Sequence, residues 1–412
     1  MENTISHDPD LALVRLKAEQ GFSFAQIGAE YGISPDAARA RYRRARSRMD
    51  RGVGLGSAPA RLPAGSASLR GDDPEGSDRL GDPDLRAANN RLLRELAKAK
   101  ATKDELVSAV YEAAHAAASS MDIPASPPPV RDVRRGGEEV AVAVLSDWQL
   151  GKRTPSYDST VCAERIEKYA EKVIRLTDIQ RKDHPVRHLR VHILGDIVEG
   201  EMIFPGQAHL VDTSLYAQVV ENGPTILAKF LRQMLSHFDT VHVVAVIGNH
   251  GRIGRKGDFN PQTNADRMLY RITQRILEGE KRLTWDIPSI PNERAWYAIS
   301  RIGNYSALLI HGDQFRGTAG IPWYGIAKKA GGWAMGAIPE PYKDVDFGHF
   351  HQPTRVTLNN VTARCSGSPE SHNDFAAEQL AAVGTPSQSL RFVHPERGIV
   401  TAEYVVWLTD AA

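Results

Sequence analysis

From Val140 onward, the hydrophobic and polar positions fall into blocks whose spacing predicts strands and helices in turn. The run VAVAVLSD, Val140 to Asp147, is almost wholly apolar up to its last two residues, as a strand buried on both faces requires. The spacing then predicts a helix over 161–183, the strand LRVHILGD (189–196), a helix over 214–237 and the strand TVHVVAVIGN (240–249). A helix over 262–279, strands near 294–310, a helix over 322–335 and the strand VDFGHFH (345–351) follow, and GIVTAEYVVWL reads as a closing strand. Strands alternating with helices predict α/β layering. Polar residues cluster just after each strand, and in α/β sheets the carboxyl ends of strands are where sites form.

Upstream of residue 139 the texture differs. In LALVRLKAEQ, the positions Leu11, Leu13, Val14 and Leu16 have helical spacing, and Ser23 can cap a second helix that Gly32 ends. Ser34 and Pro35 suit the start of a third, DAARARYRRARSR. Two short helices about a glycine turn, then a basic helix, predict a helix-turn-helix domain over 1–51. Residues 52–83, rich in Gly, Ser, Ala, Pro and Asp, read as a flexible linker. A long helix is expected over 84–120, as a solvated spacer or as the contact of a homodimer, because its apolar seam is sparse and Ala-rich. A Pro-rich linker (121–138) leads to the α/β domain, 139–412.

A chain of 412 residues accommodates two to three such domains. No apolar run is long enough for a membrane span, and MENTISHDPD has no secretory character. Cys162 and Cys365 cannot make a disulfide framework and are expected as small buried residues, so a reducing, cytoplasmic setting is expected. The formal net charge is only +1, yet Leu11–Arg51 alone holds nine basic and four acidic residues. Arg39, Arg41, Arg43, Arg44, Arg46 and Arg48 lie on neighbouring faces of the third helix, which suits DNA phosphates.

The chemistry lies in five segments at strand ends: Ser146-Asp147-Trp148-Gln149, Gly195-Asp196-Ile197-Val198-Glu199-Gly200, Gly248-Asn249-His250-Gly251, His311-Gly312-Asp313 and Gly348-His349-Phe350-His351. Two nearby divalent ions need a bridging carboxylate and further oxygen and imidazole donors on rigid backbone. Glycine beside each donor is expected to let the chain turn sharply after the strand. Beyond His250, the segment Arg252-Ile253-Gly254-Arg255-Lys256-Gly257 offers Arg252, Arg255 and Lys256 to an anionic substrate. Trp323, Tyr324, Lys328, Lys329 and Trp333 could stack on bases or pack a capping helix. Glu370, His372 and His394 fall outside the series and read as surface or locally hydrogen-bonded groups.

In this order the segments resemble the calcineurin-like metallophosphoesterase superfamily: DxH, GDxxD or GDxxE, GNH[DE], His, GHxH. The resemblance implies a four-layer α-β-β-α sandwich and two divalent ions, with manganese expected. By it, Asp147, Gln149, Asp196 and His351 would hold one ion, and Asp196, Asn249, His311 and His349 the other. His250 would hold no ion and would act on the leaving group. The chain departs from the pattern twice. Gln149 stands where the family has His, which predicts a weaker first site favouring manganese or magnesium over zinc. Gly251 stands where an acidic residue usually follows the His, leaving Asp313 and Glu199 as candidates to orient His250. With the basic upstream domain, the nearest type is the SbcD-like DNA repair nucleases, and any ATPase partner is left open. That implies a DNA exonuclease or endonuclease. The alternatives are a phosphatase or nucleotidase for small esters, and a DNA-binding protein with a vestigial metal site.

Overall fold

The computed structural model describes residues 125–409 apart from 131, 135, 255–259, 261, 288–295, 316–320 and 371–383, plus isolated upstream positions (24, 27, 34, 36, 38, 39, 41, 42, 94, 105, 108, 109, 112 and 116). The linker 52–83 and Arg43, Arg44, Arg46, Arg48, Arg255, Lys256 and His372 lie outside the described residues. Met1–Gly81 and Asp82–Ala412 are separate compact units. In the first, Ile27 and Ala38 are buried helical residues, and the rings of Phe24 and Tyr42 meet edge to face at 5.6 Å. Within 84–120, the described positions Arg94, Glu105, Ser108, Ala109, Glu112 and Ala116 are helical and exposed.

The second unit contains two sheets. One has the order β11-β10-β1-β2-β3-β4, formed by Ile399–Trp407, Ser387–His394, Glu139–Leu145, Val186–Ile193, Thr240–Ala245 and Leu283–Asp286. Strands β1 to β4 are parallel, and β10 runs antiparallel to both β1 and β11. The other has the order β5-β6-β7-β9-β8, from Tyr297–Ile302, Tyr305–Ile310, Asp344–Phe347, Val361–Cys365 and Thr354–Leu358.

Strand β1 shows why this stacks into layers. Ala141, Ala143 and Leu145 face a core shared with helices α1 (Ser159–Gln180), α2 (Gly223–Leu235) and α3 (Ala265–Ile276). Val140, Val142 and Val144 point the other way, into a second core with Ala307 and Leu309 of β6. The far face of the second sheet, with Ile310 and Phe347, packs on Ile326 and Ala330 of α4 (Trp323–Gly332). The result is the expected α-β-β-α order. Because both faces of β1 are covered, it reads as a continuous apolar run. No helix among the described residues is long and apolar enough to cross a membrane.

The expected helix over 214–237 is divided. One turn of π-helix, Ala217–Asn222, precedes α2, whose first turn contains Pro224. Proline supplies no amide hydrogen to the preceding turn, and a side chain on Gly223 would overlap Leu269. The hairpin β8–β9 was not expected, although Asn359-Asn360 between two β-branched runs is a hairpin signal and Asn359 adopts φ 54°. Expected strands that ran on to Asp147, Asp196, Asn249 and His351 stop earlier, at Leu145, Ile193, Ala245 and Phe347.

The Pro-rich stretch before β1 lies against this unit. Ser126 donates to Glu280 through its amide (2.6 Å) and hydroxyl (2.8 Å), and Arg282 donates to the Ser126 carbonyl. Farther along, Arg187 reaches the Asp132 carbonyl and Arg134 the carbonyls of Arg181 and His184. These contacts lie at the starts of β2 and β4, so the chain enters this unit at the end of the sheet opposite its strand carboxyl ends.

The sheets are also joined by buried charge. Arg391 on β10 pairs with Asp346 on β7, and His192 on β2 bridges Asp346 (2.7 Å) and Ser300 (2.8 Å). Removing one partner leaves the other buried and uncompensated. Arg391→Met is therefore expected to cost about 3–5 kcal/mol in urea unfolding, and combining it with Asp346→Leu should recover most of the loss.

Candidate metal centre

The loops that follow β1, β2, β3, β6 and β7 meet at one end of the sandwich. Beyond their strands, the first two stay in register: Asp147 N donates to Gly195 O (3.0 Å), and Gln149 N to Asp196 O (2.9 Å). The side chains that converge there sit on unusual backbone. Asp147, Gln149, Asp196, His349 and His351 have φ of 53°, 43°, 51°, 69° and 56°. For residues with a Cβ, this left-handed conformation costs of order 1–3 kcal/mol each, so the surroundings must enforce it. It turns each side chain inward directly after its strand. Of the neighbouring glycines, Gly195, Gly200 and Gly312 turn the chain with φ of 88°, 73° and 125°, and two others serve another purpose. A Cβ on Gly248 would overlap the Asp196 carboxylate, and one on Gly348 would overlap Asp147 and Ser146. Close approach of backbone to carboxylate is what demands glycine at those two positions.

One group comprises Asp196, Asn249, His311 and His349. His311 Nε2 is 2.9 Å from Asp196 Oδ2, 3.0 Å from Asn249 Oδ1 and 3.2 Å from His349 Nδ1. The ligand atoms of Asp196, His311 and His349 all lie within 4.8 Å of one another. His311 Nδ1 lies 2.9 Å from the Leu194 carbonyl, which fixes the ring and turns Nε2 inward. Burial would raise the Asp196 carboxyl, yet His311 and His250 hold it well below the usual carboxylate range. Burial lowers His311, but Asp196 outweighs it and pushes the imidazole up to about 10. His349 moves the other way, to about 4, through burial and the charge of His311. A carboxylate oxygen, an amide oxygen and two imidazole nitrogens converge on one point, a donor set that fits a divalent ion in place of the His311 proton.

The other group comprises Asp147, Gln149 and His351. His351 Nε2 lies 3.5 Å from Asp147 Oδ1 and 3.3 Å from Gln149 Nε2. The His349 amide donates to both Asp147 carboxylate oxygens at 3.0 Å, tying the two groups together. Gln149 Oε1 accepts from Lys152 Nζ at 2.8 Å.

His250 stands beside the first group. Its amide donates to Asp196 Oδ1 (2.7 Å), and its Nδ1 faces the Glu199 carbonyl (3.0 Å) and Oε2 (3.2 Å). Of the two acids that could orient it, Glu199 does so; Asp313 pairs with Arg252 at 2.5 Å. Gly251 is explained by packing, because a Cβ there would be 2.6 Å from Asn264 Oδ1 at the cap of α3. Burial would lower His250, but Asp196 and Glu199 raise it to about 9.

Three contributors were not singled out from the sequence. Asp266, in the first turn of α3, is fully buried and accepts four amide hydrogens: Asp196 and Gly248 at Oδ2 (2.9 and 2.8 Å), Ile197 and Val198 at Oδ1 (3.0 and 3.1 Å). Burial, then Asp196, raises its carboxyl to about 6. An Asp two residues after a capping Asn at a helix start was its only local signal. Glu370, read as a surface or locally bonded residue, is buried and lies 3.0 Å from His351 Nδ1. Lys152 lies between Glu370 and Gln149. Of the candidate stacking residues, Trp333 packs on Trp296 and Phe315, while Trp323 and Tyr324 are exposed. Both cysteines are buried thiols, as expected.

No family model and no curated protein matches the chain. Among solved structures it is similar to a novel archaeal phosphodiesterase (12% identity over 65% of this chain and 99% of that one, TM-score 0.31). It is also similar to a predicted phosphoesterase of Streptococcus pneumoniae (13%, 65% and 98%, 0.28) and to the zinc complex of Vps29 from Entamoeba histolytica (13%, 65% and 99%, 0.27). Similarities this low assign no activity.

The contacts of His250 make its titration a test of the arrangement. Glu199→Gln removes an anion that favours the imidazolium, so in chelator-treated protein the His250 pKa should fall from about 9. Histidine ring resonances followed by NMR against pH would show it, and an unmoved pKa would mean Glu199 does not set it.

Proposed function

We propose that this chain is a metal-dependent phosphodiesterase acting on nucleic acid, a DNA exonuclease or endonuclease with a dinuclear site that favours manganese. The observation that carries this reading is the convergence of Asp147, Asp196, Asn249, His311, His349 and His351 at strand carboxyl ends, with His250 beside them on Glu199. When bound, two divalent ions would supply the attacking hydroxide and neutralise the phosphoryl oxygens. Asp196, held by the His250 amide and facing His311, would serve both ions. Glu199 favours the imidazolium of His250, and with Nδ1 turned to Glu199 its Nε2 is the atom that would protonate a leaving oxygen.

A polynucleotide substrate is supported by features around and upstream of this cluster. The segment between Glu199 and α2 exposes Phe204 and the helical Tyr216, and α4 exposes Trp323 and Tyr324, all able to stack on bases. Arg252 lies two residues beyond His250. The basic run from Arg39 to Arg48 suits phosphate contact, and a domain that holds DNA would raise its effective concentration at the site.

With manganese, His250→Ala is expected to lower turnover of a chromogenic phosphodiester by about 10²–10⁴-fold while bound metal, measured by mass spectrometry, is unchanged. Asp196→Ala should lose both. Faster hydrolysis of the matching phosphomonoester by the unaltered protein would select a phosphatase instead. Deleting residues 1–120 should weaken DNA binding in gel-shift assays and spare hydrolysis of the small diester. Loss of both would overturn the modular reading.

A further inference from the structure

The two halves of the candidate centre are built differently. Among the described residues, the side-chain hydrogen bonds of Asp196, Asn249, His311 and His349 run to one another, to His250 and to backbone, and none runs to a lysine. Around Asp147, Gln149 and His351, a lysine is built in. Lys152 Nζ lies 2.5 Å from Glu370 Oε1 and 2.8 Å from Gln149 Oε1, and its side chain is 13% exposed. The other oxygen of the same carboxylate, Glu370 Oε2, is 3.0 Å from His351 Nδ1, so the ring presents Nε2 to Asp147 and Gln149.

The Glu370 and Lys152 side chains both come from segments held by hydrogen bonds. The Glu370 amide donates to Ser368 Oγ, which itself donates to the Asp147 carbonyl at 2.6 Å, and Arg165 donates to the Pro369 carbonyl at 2.6 Å. Lys152 is pinned by an antiparallel bridge to Val211 and by its amide on the Gln149 carbonyl. Gly151 before it has φ 99°, and a Cβ there would overlap Gln218. The ammonium is therefore held beside the Gln149 amide by the loop itself and by a buried counter-ion.

We propose that Lys152, anchored by Glu370, is a positioning residue that occupies the Gln149 amide oxygen and keeps the Asp147–Gln149–His351 half of the centre weak for a divalent ion. This rests on the dinuclear reading above and deepens it. Two consequences follow from elementary electrostatics. An amide oxygen that accepts from an ammonium is a poorer donor to a second cation, and a fixed positive charge nearby repels a divalent ion. Glu370 acts in the opposite direction, orienting His351 and offsetting the lysine charge. The protein would then bind one ion tightly and fill the second position only at higher ion concentration.

Direct binding of manganese to the chelator-treated full chain, by calorimetry and by electron paramagnetic resonance, tests this without reference to turnover. The unaltered protein should show two steps separated at least about ten-fold in dissociation constant, with the spin-coupled signal of a pair developing only in the second. Lys152→Met keeps the aliphatic stem and should tighten the second step about ten-fold while leaving the first unchanged; Lys152→Arg should bind as the unaltered protein does. Glu370→Gln should weaken the second step about ten-fold by freeing His351, and Lys152→Gln, expected to tighten the second step, decides the matter if Lys152→Met does not fold. An unmoved second step in the folded Lys152 variant overturns the role given to Lys152. Two equally tight ions in the unaltered protein overturn the proposal and leave the dinuclear reading standing, whereas no bound ion at all removes both.

Discussion

The carboxylate of Asp266 accepts amide hydrogens from Asp196, Ile197, Val198 and Gly248, and the candidate centre depends on that one buried group. The loops after β2 and β3 leave their strands with amides that have no ladder partner, at a depth where water does not reach them. Backbone groups buried in that way must be satisfied. A single carboxylate at the start of α3 satisfies four of them, and Asn264 completes the joint by capping the helix and donating to the Gly248 carbonyl. The negative charge of Asp266, placed at a helix N-terminus, also gains from the helix dipole. Asp196, Asn249 and His250 all lie on the two loops held this way.

That restraint makes the strained backbone tolerable. Five of the seven converging donors have left-handed φ, and none of the five is glycine or asparagine. The extended chain carries each one past its strand end, where the reversal in φ aims the side chain into the centre instead of along the sheet. Backbones then pass so close to the carboxylates of Asp147 and Asp196 that only glycine fits at 348 and 248. Strain, close approach and buried hydrogen bonds are thus parts of one construction.

The same construction explains why the centre is asymmetric. One half is lined by donors held by carbonyls and amides of the strand ends, with His311 turned by Leu194. The other half meets the segment that leads from β9 toward β10, and from there come Glu370 and, through it, the contact with Lys152. Gln149 is accordingly one member of a local network that also contains a lysine and its counter-ion.

Much of this was legible in the linear chain. The unbroken apolar run of β1, the alternation of strands with helices, and the polar segments after five strands predicted a layered α/β unit and put the seven candidate donors at strand ends, because hydrophobic patterning and strand ends are local properties. The dual core around β1 appeared in the sequence as an uninterrupted apolar run. Which acid serves His250 was not legible: Glu199 and Asp313 were equivalent on paper, and packing of the α3 cap against Gly251 and pairing of Asp313 with Arg252 separated them. Nor were Asp266, Lys152 and Glu370, whose importance comes from partners 70, 3 and 19 residues away (Asp196, Gln149 and His351). The sequence by itself determined which residue types stand at the ends of which strands. The tertiary structure decided which buried charges and amides answer one another, since that depends on distances between segments remote in the chain and on the exclusion of water from between them.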